Sequence, residues 1–372
     1  MPRSEGAGGG EFLTSAALGA LVPPPAGPRR GRPTPAAVGA WLSLAGLLMV
    51  ACSEPSQVES LERRGRFGSL RDLVLFDPFD LDAAGALFVD RFEATRGDWR
   101  EFADTSTGQR VGAERIALTG DPALPVVGIS LVQARVFAQW RFLRLPRRED
   151  WELAVHPGGR SIFPWGDRED PSRANTLELG LADVTPVGTF ESGRRAGADQ
   201  PYDLIGNVGE WTESVPAAWW SDSFDPRASL AVLQRSTLQV PALAAWAGPA
   251  GRLPLACLAE VGGDVVPREV VGASFQTPMA VLVEVHPAAD RRRDTGVRLV
   301  ATARELLLAL ADDPVVPSAV EQEQLRRFVA RGGHRLVLQA AWPLVVATVG
   351  LRTPVAVLLD AELTAPLPEA GR

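Results

Sequence analysis

The sequence predicts an α+β fold with little regular secondary structure, and three observations lead there. Helices opened by capping boxes recur in the first half, and a short apolar strand precedes them. From Pro157 onward the periodicity gives way to a long coil punctuated by Pro, Gly, Asn and Trp. Its aromatic residues Phe163, Trp165, Trp211, Trp219 and Trp220 require burial, so the coil is expected to be ordered. With 372 residues, 46% hydrophobic and 22% charged, the chain is long enough for one large core or two modest ones.

Taken in order, the amino terminus is a targeting segment and stands apart from the fold. Residues 1–35 are rich in Gly, Pro and Ala, and Arg29, Arg30 and Arg32 flank an apolar run over residues 36–51. That run is shorter than the roughly 20 residues a bilayer-spanning helix needs. It ends Met49-Val50-Ala51-Cys52 and turns abruptly polar, which is similar to a bacterial lipoprotein signal with Cys52 as the lipid-modified first residue of the mature chain. A core helix ending in cysteine, or a plain membrane anchor, is the alternative. The lipoprotein reading places residues 1–52 as signal, residues 53–71 as linker, and the protein on a membrane of the bacterial envelope, facing the periplasm or in the outer membrane.

The folded part is expected to begin near Asp72. Phe88 to Phe92 reads as a strand, and Thr95 with Asp98 caps a helix that turns Trp99 and Phe102 inward. Ser130 with Gln133 caps the next, on which Ala134, Phe137 and Ala138 share one face. A third helix follows Pro146, where Glu149 and Asp150 suit the positive end of the helix dipole. After GVRLV at residues 296–300, residues 301–311 and 320–330 read as amphipathic helices. Residues 335–359, apolar and broken by Pro343, Gly350 and Pro354, read as strands, making residues 301–372 a small strand-rich extension of unknown role.

Composition excludes several functions. A net charge of −7 and a pI of about 5.2 supply no basic field for nucleic acid. All 38 basic residues are arginine, which rules out Schiff-base and lysine general-base chemistry. Of the two cysteines, Cys52 is assigned to lipid, and Cys257, in the apolar LPLACLAEV, is expected to be a small buried hydrophobe. His156, His286 and His334 show no metal-binding spacing and are expected on surfaces or loops, as is the basic run Arg291 to Arg293. No nucleophile elbow, phosphate-cradling loop or internal repeat is present.

One stretch carries more information than any other: PYDLIGNVGEWTES at residues 201–214. Together with PVVGIS (125–130), FLRLPRREDWELA (142–154), FPWGD (163–167), VVGASF (270–275) and GVRLV, it resembles the formylglycine-generating enzymes, also called sulfatase-modifying factors. The resemblance runs from about Leu87 to Val300 and implies a compact, C-type-lectin-related domain over residues 72–300. It also implies structural calcium. Asp203 and Glu210 match side-chain ligands, and Gly206 and Val208 match main-chain ligands. A second site is matched by Asn175, by the Thr176 carbonyl and by Asp183 as the later acid. Calcium accepts such mixed oxygen sets, although solvated turn charges would have the same sequence.

The same resemblance argues against the family's reaction. Its two copper-holding cysteines follow the glycine-glycine-serine segment, matched here by Gly272-Ala273-Ser274-Phe275, and their positions hold Thr277 and Leu282. Soft thiolates select Cu(I), so copper is not expected. Three readings follow: a catalytically silent binding or scaffold module, an oxidoreductase of this fold using another residue set, and a structural envelope spacer. The expected partners are the membrane through the lipid anchor and an exported protein or carbohydrate ligand, with no nucleic acid.

Overall fold

The computed structural model describes residues 67–76, 85–156, 161–196, 199–216, 267–331 and 333–365. Cys52, the signal segment, Cys257, Trp219 and Trp220 lie outside the described residues. A three-stranded antiparallel sheet joins β1 (Leu73–Phe76), β2 (Leu87–Asp90) and β7 (Val300–Thr302) in the order β1-β2-β7. Alternation along these strands feeds two cores at once. Leu73, Phe88 and Ala301 point into one, and Val74, Phe76, Leu87, Val89 and Val300 into the other. A sheet buried on both faces needs near-continuous apolar runs, which is how LVLF and LFVD read.

A second sheet, ordered β5-β4-β3-β6, joins β3 (Gly209–Trp211), β4 (Arg268–Val271), β5 (Val283–His286) and β6 (Thr295–Gly296), with only β3 and β6 parallel. GVRLV therefore does not form one strand. Gly296 ends β6, Val300 opens β7, and the residues between carry the chain from one sheet to the other.

The first core is built on α1 (Arg96–Ala103) and α3 (Leu131–Trp140), separated by the short α2 (Ser106–Arg110). Both predicted capping boxes form, Thr95 with Asp98 and Ser130 with Gln133. Trp99, Phe102, Phe137 and Trp140 pack with ring centroids 5.2–6.0 Å apart. In α4 (Arg148–Val155) the cap is Arg147, one residue past Pro146, and Asp150 accepts the Arg147 amide at 2.7 Å.

Several expectations need correction. Residues 67–71 are not linker, because Phe67 and Leu70 are buried in the first core and Phe67 meets Phe142 edge-on at 5.3 Å. The carboxyl-terminal extension is helical: α5 (Ala303–Ala311), α6 (Ala319–Ala330), α7 (His334–Val349) and α8 (Pro354–Thr364). The apolar, valine-rich composition suggested strands, yet Val337, Leu338, Ala341, Trp342 and Val345 share one buried helical face. The residues read as breakers are end signals or tolerated. Gly350 terminates α7 at positive φ, Pro354 sits in the first turn of α8 behind the Thr353 cap, and Pro343 lies on the exposed side of α7.

This extension is also not an appendage. Leu306, Phe328, Leu338 and Leu359 belong to the same core as Trp99, and the Phe328 ring packs tilted against Phe88 at 5.4 Å. His334 is buried between Phe88 and Phe328, with burial pushing its pKa down to about 4, and His286 is buried edge-on to Trp211. Neither is a surface histidine. Arg292 forks onto Asp294 at 3.0 Å, and Arg293 lies 5.7 Å over the Phe275 ring, so the basic run is anchored rather than loose. Among the described residues no helix is long and apolar enough to cross a membrane.

Candidate functional site

The informative loop at residues 201–214 is wound by three left-handed residues: Asp203 (φ 52°), Gly206 (85°) and Asn207 (61°). At Gly206 a Cβ would come within 2.8 Å of the Asn175 carbonyl oxygen, so glycine is required there on two counts. The close approach joins the two loops singled out as cation sites. The Asn207 amide donates to the Asn175 carbonyl at 2.7 Å, and Asn175 Nδ2 donates to Asn207 Oδ1 at 3.3 Å and to the Asp183 carbonyl at 2.9 Å.

Of the predicted residues, Asp203, Gly206, Val208, Glu210, Asn175 and Thr176 are all buried. Asp183 is exposed, and its carboxylate accepts its neighbour Val184's amide, so it meets Asn175 through its carbonyl alone. Asp203 Oδ2 accepts the Gly188 amide at 2.7 Å. Glu210 Oε1 accepts from Arg298 Nε at 2.8 Å, while Glu210 Oε2 and Asn175 Oδ1 are buried without a hydrogen-bond partner. Among the described residues no three His, Cys, Asp or Glu side chains converge as a metal cluster, so any ion here would depend on carbonyl and amide oxygens as well.

Residues that sequence reasoning missed hold this loop. Glu93 takes Asn207 Nδ2 at 2.6 Å and the Val208 amide at 3.1 Å, and it is fully buried. Arg298, also buried, donates to Glu210, to the carbonyl of Asp90 at 3.0 Å, and to those of Tyr202 and Asp203 at 2.7 and 3.2 Å. Asp90 is itself forked by Arg141 at 3.1 and 3.2 Å. Their one visible signal was charge inside apolar runs: Asp90 and Glu93 flanking a strand, and Arg298 within GVRLV.

Four buried carboxyl groups, Asp90, Glu93, Asp203 and Glu210, thus share two buried guanidinium groups, Arg141 and Arg298. Burial raises every one of the four above its ordinary value, Asp90 and Asp203 each to about 6 and Glu93 well above the usual glutamate range, with the nearby Asp203 charge adding to Glu93. Arg298 offsets part of the effect on Glu210.

At the positions matched to the family's cysteines, Thr277 is buried and its hydroxyl accepts the Ser274 amide at 2.7 Å. Ser274 Oγ donates to Asp294 at 3.2 Å. Leu282 is half-buried against the second core, with its carbonyl accepting the Gly272 amide at 3.0 Å. Leu177 donates to the Thr277 carbonyl, and Glu178 accepts the Met279 amide, tying this segment to the Asn175 loop.

The charge imbalance has a measurable consequence. Because Asp203's pKa is raised on folding, the native state holds a proton that the unfolded chain releases between about pH 4 and 6. That contribution to stability is complete below about pH 4 and lost as the pH climbs through about 6. Asp203→Asn keeps an oxygen for Gly188 and removes the charge. In metal-free buffer it is expected to be more stable than the parent at pH 7 by on the order of 2 kcal/mol, with the gap closing toward pH 4. A gap that calorimetry finds constant from pH 4 to 7 would refute this.

Residues 77–246 match the family profile of the sulfatase-modifying factor enzyme 1-like domain. The chain is 35% identical over 130 residues to the inactive C-alpha-formylglycine-generating enzyme 2 of Bos taurus, a stretch covering 32% of this chain and 39% of that protein. It is 34% identical over 131 residues to the formylglycine-generating enzyme of Mycobacterium tuberculosis, covering 31% and 42% of the two chains. With the hercynine oxygenase of Mycolicibacterium smegmatis it shares 33% identity over 100 residues, covering 26% and 23%. The chain thus spans about two fifths of the first two relatives and less of the third. On these similarities the chain carries a formylglycine-generating-enzyme-like domain.

Proposed function

We propose that the chain is an exported, lipid-anchored domain of this family that does not oxidise cysteine and acts as a binding or scaffold module. The observation that carries the reading is the pair Thr277 and Leu282. A hydroxyl already engaged with Ser274 and an aliphatic side chain in the second core offer no soft ligand, so the residues do not fit copper. The name of the bovine relative, an inactive enzyme, supports the same reading. The test is a copper-loaded assay on a sulfatase peptide bearing cysteine, with the aldehyde product followed by mass spectrometry. No product is expected; turnover abolished by Cys257→Ala would overturn the reading.

Calcium is part of the proposal. The unpaired Glu210 Oε2 and Asn175 Oδ1, the loop carbonyls of Gly206 and Val208, and two more buried carboxylates than guanidiniums are what a hard dication would satisfy and neutralise. Asp203, Gly206, Val208 and Glu210 would hold one ion, and Asn175, Thr176 and Asp183 the other, each fixing loop backbone in place. Chelation is expected to lower the unfolding midpoint, by about 2.7 kcal/mol of stability where free calcium is 100 times its Kd, and an unchanged midpoint would sink the idea. For the anchor, Cys52→Ala is expected to move the protein from the membrane fraction to the soluble one, and retention in the membrane would exclude lipidation at Cys52.

A further inference from the structure

We propose that the cavity beside Trp165 binds an acidic sugar, its ring against the indole and its carboxylate on Arg195; this rests on the binding-module reading above. The cavity, about 560 Å³, is lined by Pro164, Trp165, Arg173, Glu191, Arg194 and Arg195 among others. Its volume is that of a small-molecule site. The indole is fixed before any ligand arrives. It stacks on buried Phe163 at 5.1 Å with the planes 4° apart, its Nε1 donates to the Arg168 carbonyl at 3.0 Å, and the turn beneath it is closed by reciprocal Phe163 and Gly166 backbone bonds of 2.9 and 3.0 Å.

The charges around the indole are ordered too. Arg173 is held by Asp170 at 2.8 Å and by the Ser192 carbonyl at 3.1 Å, and Arg194 is paired with Glu191 and lies 5.0 Å over the Tyr202 ring. Glu191 also accepts the Tyr202 hydroxyl, and bonds from Arg194 and Tyr202 hold its carboxyl below the usual range, so it stays ionised and committed. Arg195 is exposed and pairs with no described residue. With Arg173 paired to Asp170 and Arg194 to Glu191, Arg195 is the lining's surplus cation, a local positive site on a chain whose net charge is −7. A purely apolar ligand would leave Arg195 without a counter-charge. A polyhydroxylated ring fits better, since it offers one C–H face to the indole, a hydroxyl to the Ser192 side chain, and a carboxylate to the planar fork of Arg195.

The probe is a galacturonate hexasaccharide, titrated calorimetrically into the full-length protein, with its methyl ester and neutral maltohexaose as controls. The acid is expected to bind at least tenfold more tightly than either control and to weaken as salt rises. Trp165→Ala should abolish binding, and Arg195→Gln should weaken it by about five- to tenfold, both with parental unfolding midpoints. Equal affinity for acid and ester, or binding that survives both substitutions, would overturn the site while leaving a binding module elsewhere. No binding of any of the three sugars would overturn the inference and leave the non-catalytic reading to stand or fall on the peptide assay.

Discussion

Arg298 is the group on which the described architecture converges. It is buried at the crossing from β6 to β7, and its guanidinium reaches Glu210 on β3, the Asp90 carbonyl at the end of β2, and the carbonyls of Tyr202 and Asp203. A planar donor with five N–H groups can satisfy several acceptors at fixed angles, which a lysine could not. Removing it would leave Glu210 and three carbonyls unpaired inside the protein, a larger cost than the bonds themselves contribute. One side chain thereby fixes both sheets and the irregular loop between them.

That constraint explains how so much coil stays ordered. Coil has no ladder to absorb its polar groups, so they must find partners one at a time. Here the partners are mostly buried side chains, Glu93 for the Asn207 turn, Asn175 for the neighbouring loop and Asp203 for Gly188, with the exposed Glu178 taking the Met279 amide. The cost is carboxylates in surplus over guanidiniums, paid in raised proton affinity. Such a framework depends on charge balance in a way that a helical bundle does not.

Much of this was legible in the sequence. The capping boxes at Thr95 and Ser130 were readable because they are local and reciprocal. The loop at residues 201–214 was readable because its glycine and asparagine meet steric demands that few residues can. Glu93, Arg141 and Arg298 were not, since a charged residue's partner can lie far away in sequence, 114 residues off for Glu93 and Asn207. The helices α7 and α8 were misread for another reason. Valine-rich composition favours strands only where a sheet edge is there to accept them, and α5 presents an apolar helical face instead.

The placement of those helices bears on where the domain ends. The family profile stops at residue 246, yet β2 pairs with β7 beyond it, and Phe88, in the middle of that sheet, is covered by Phe328 and His334 from the extension. Cutting the chain after β7 would expose the first-core face of the sheet, where Phe88 is covered by Phe328 and His334. An apolar face of that kind does not persist in water without a cover. Residues 303–364 therefore complete the core, and the folding unit is larger than the segment by which the family is identified.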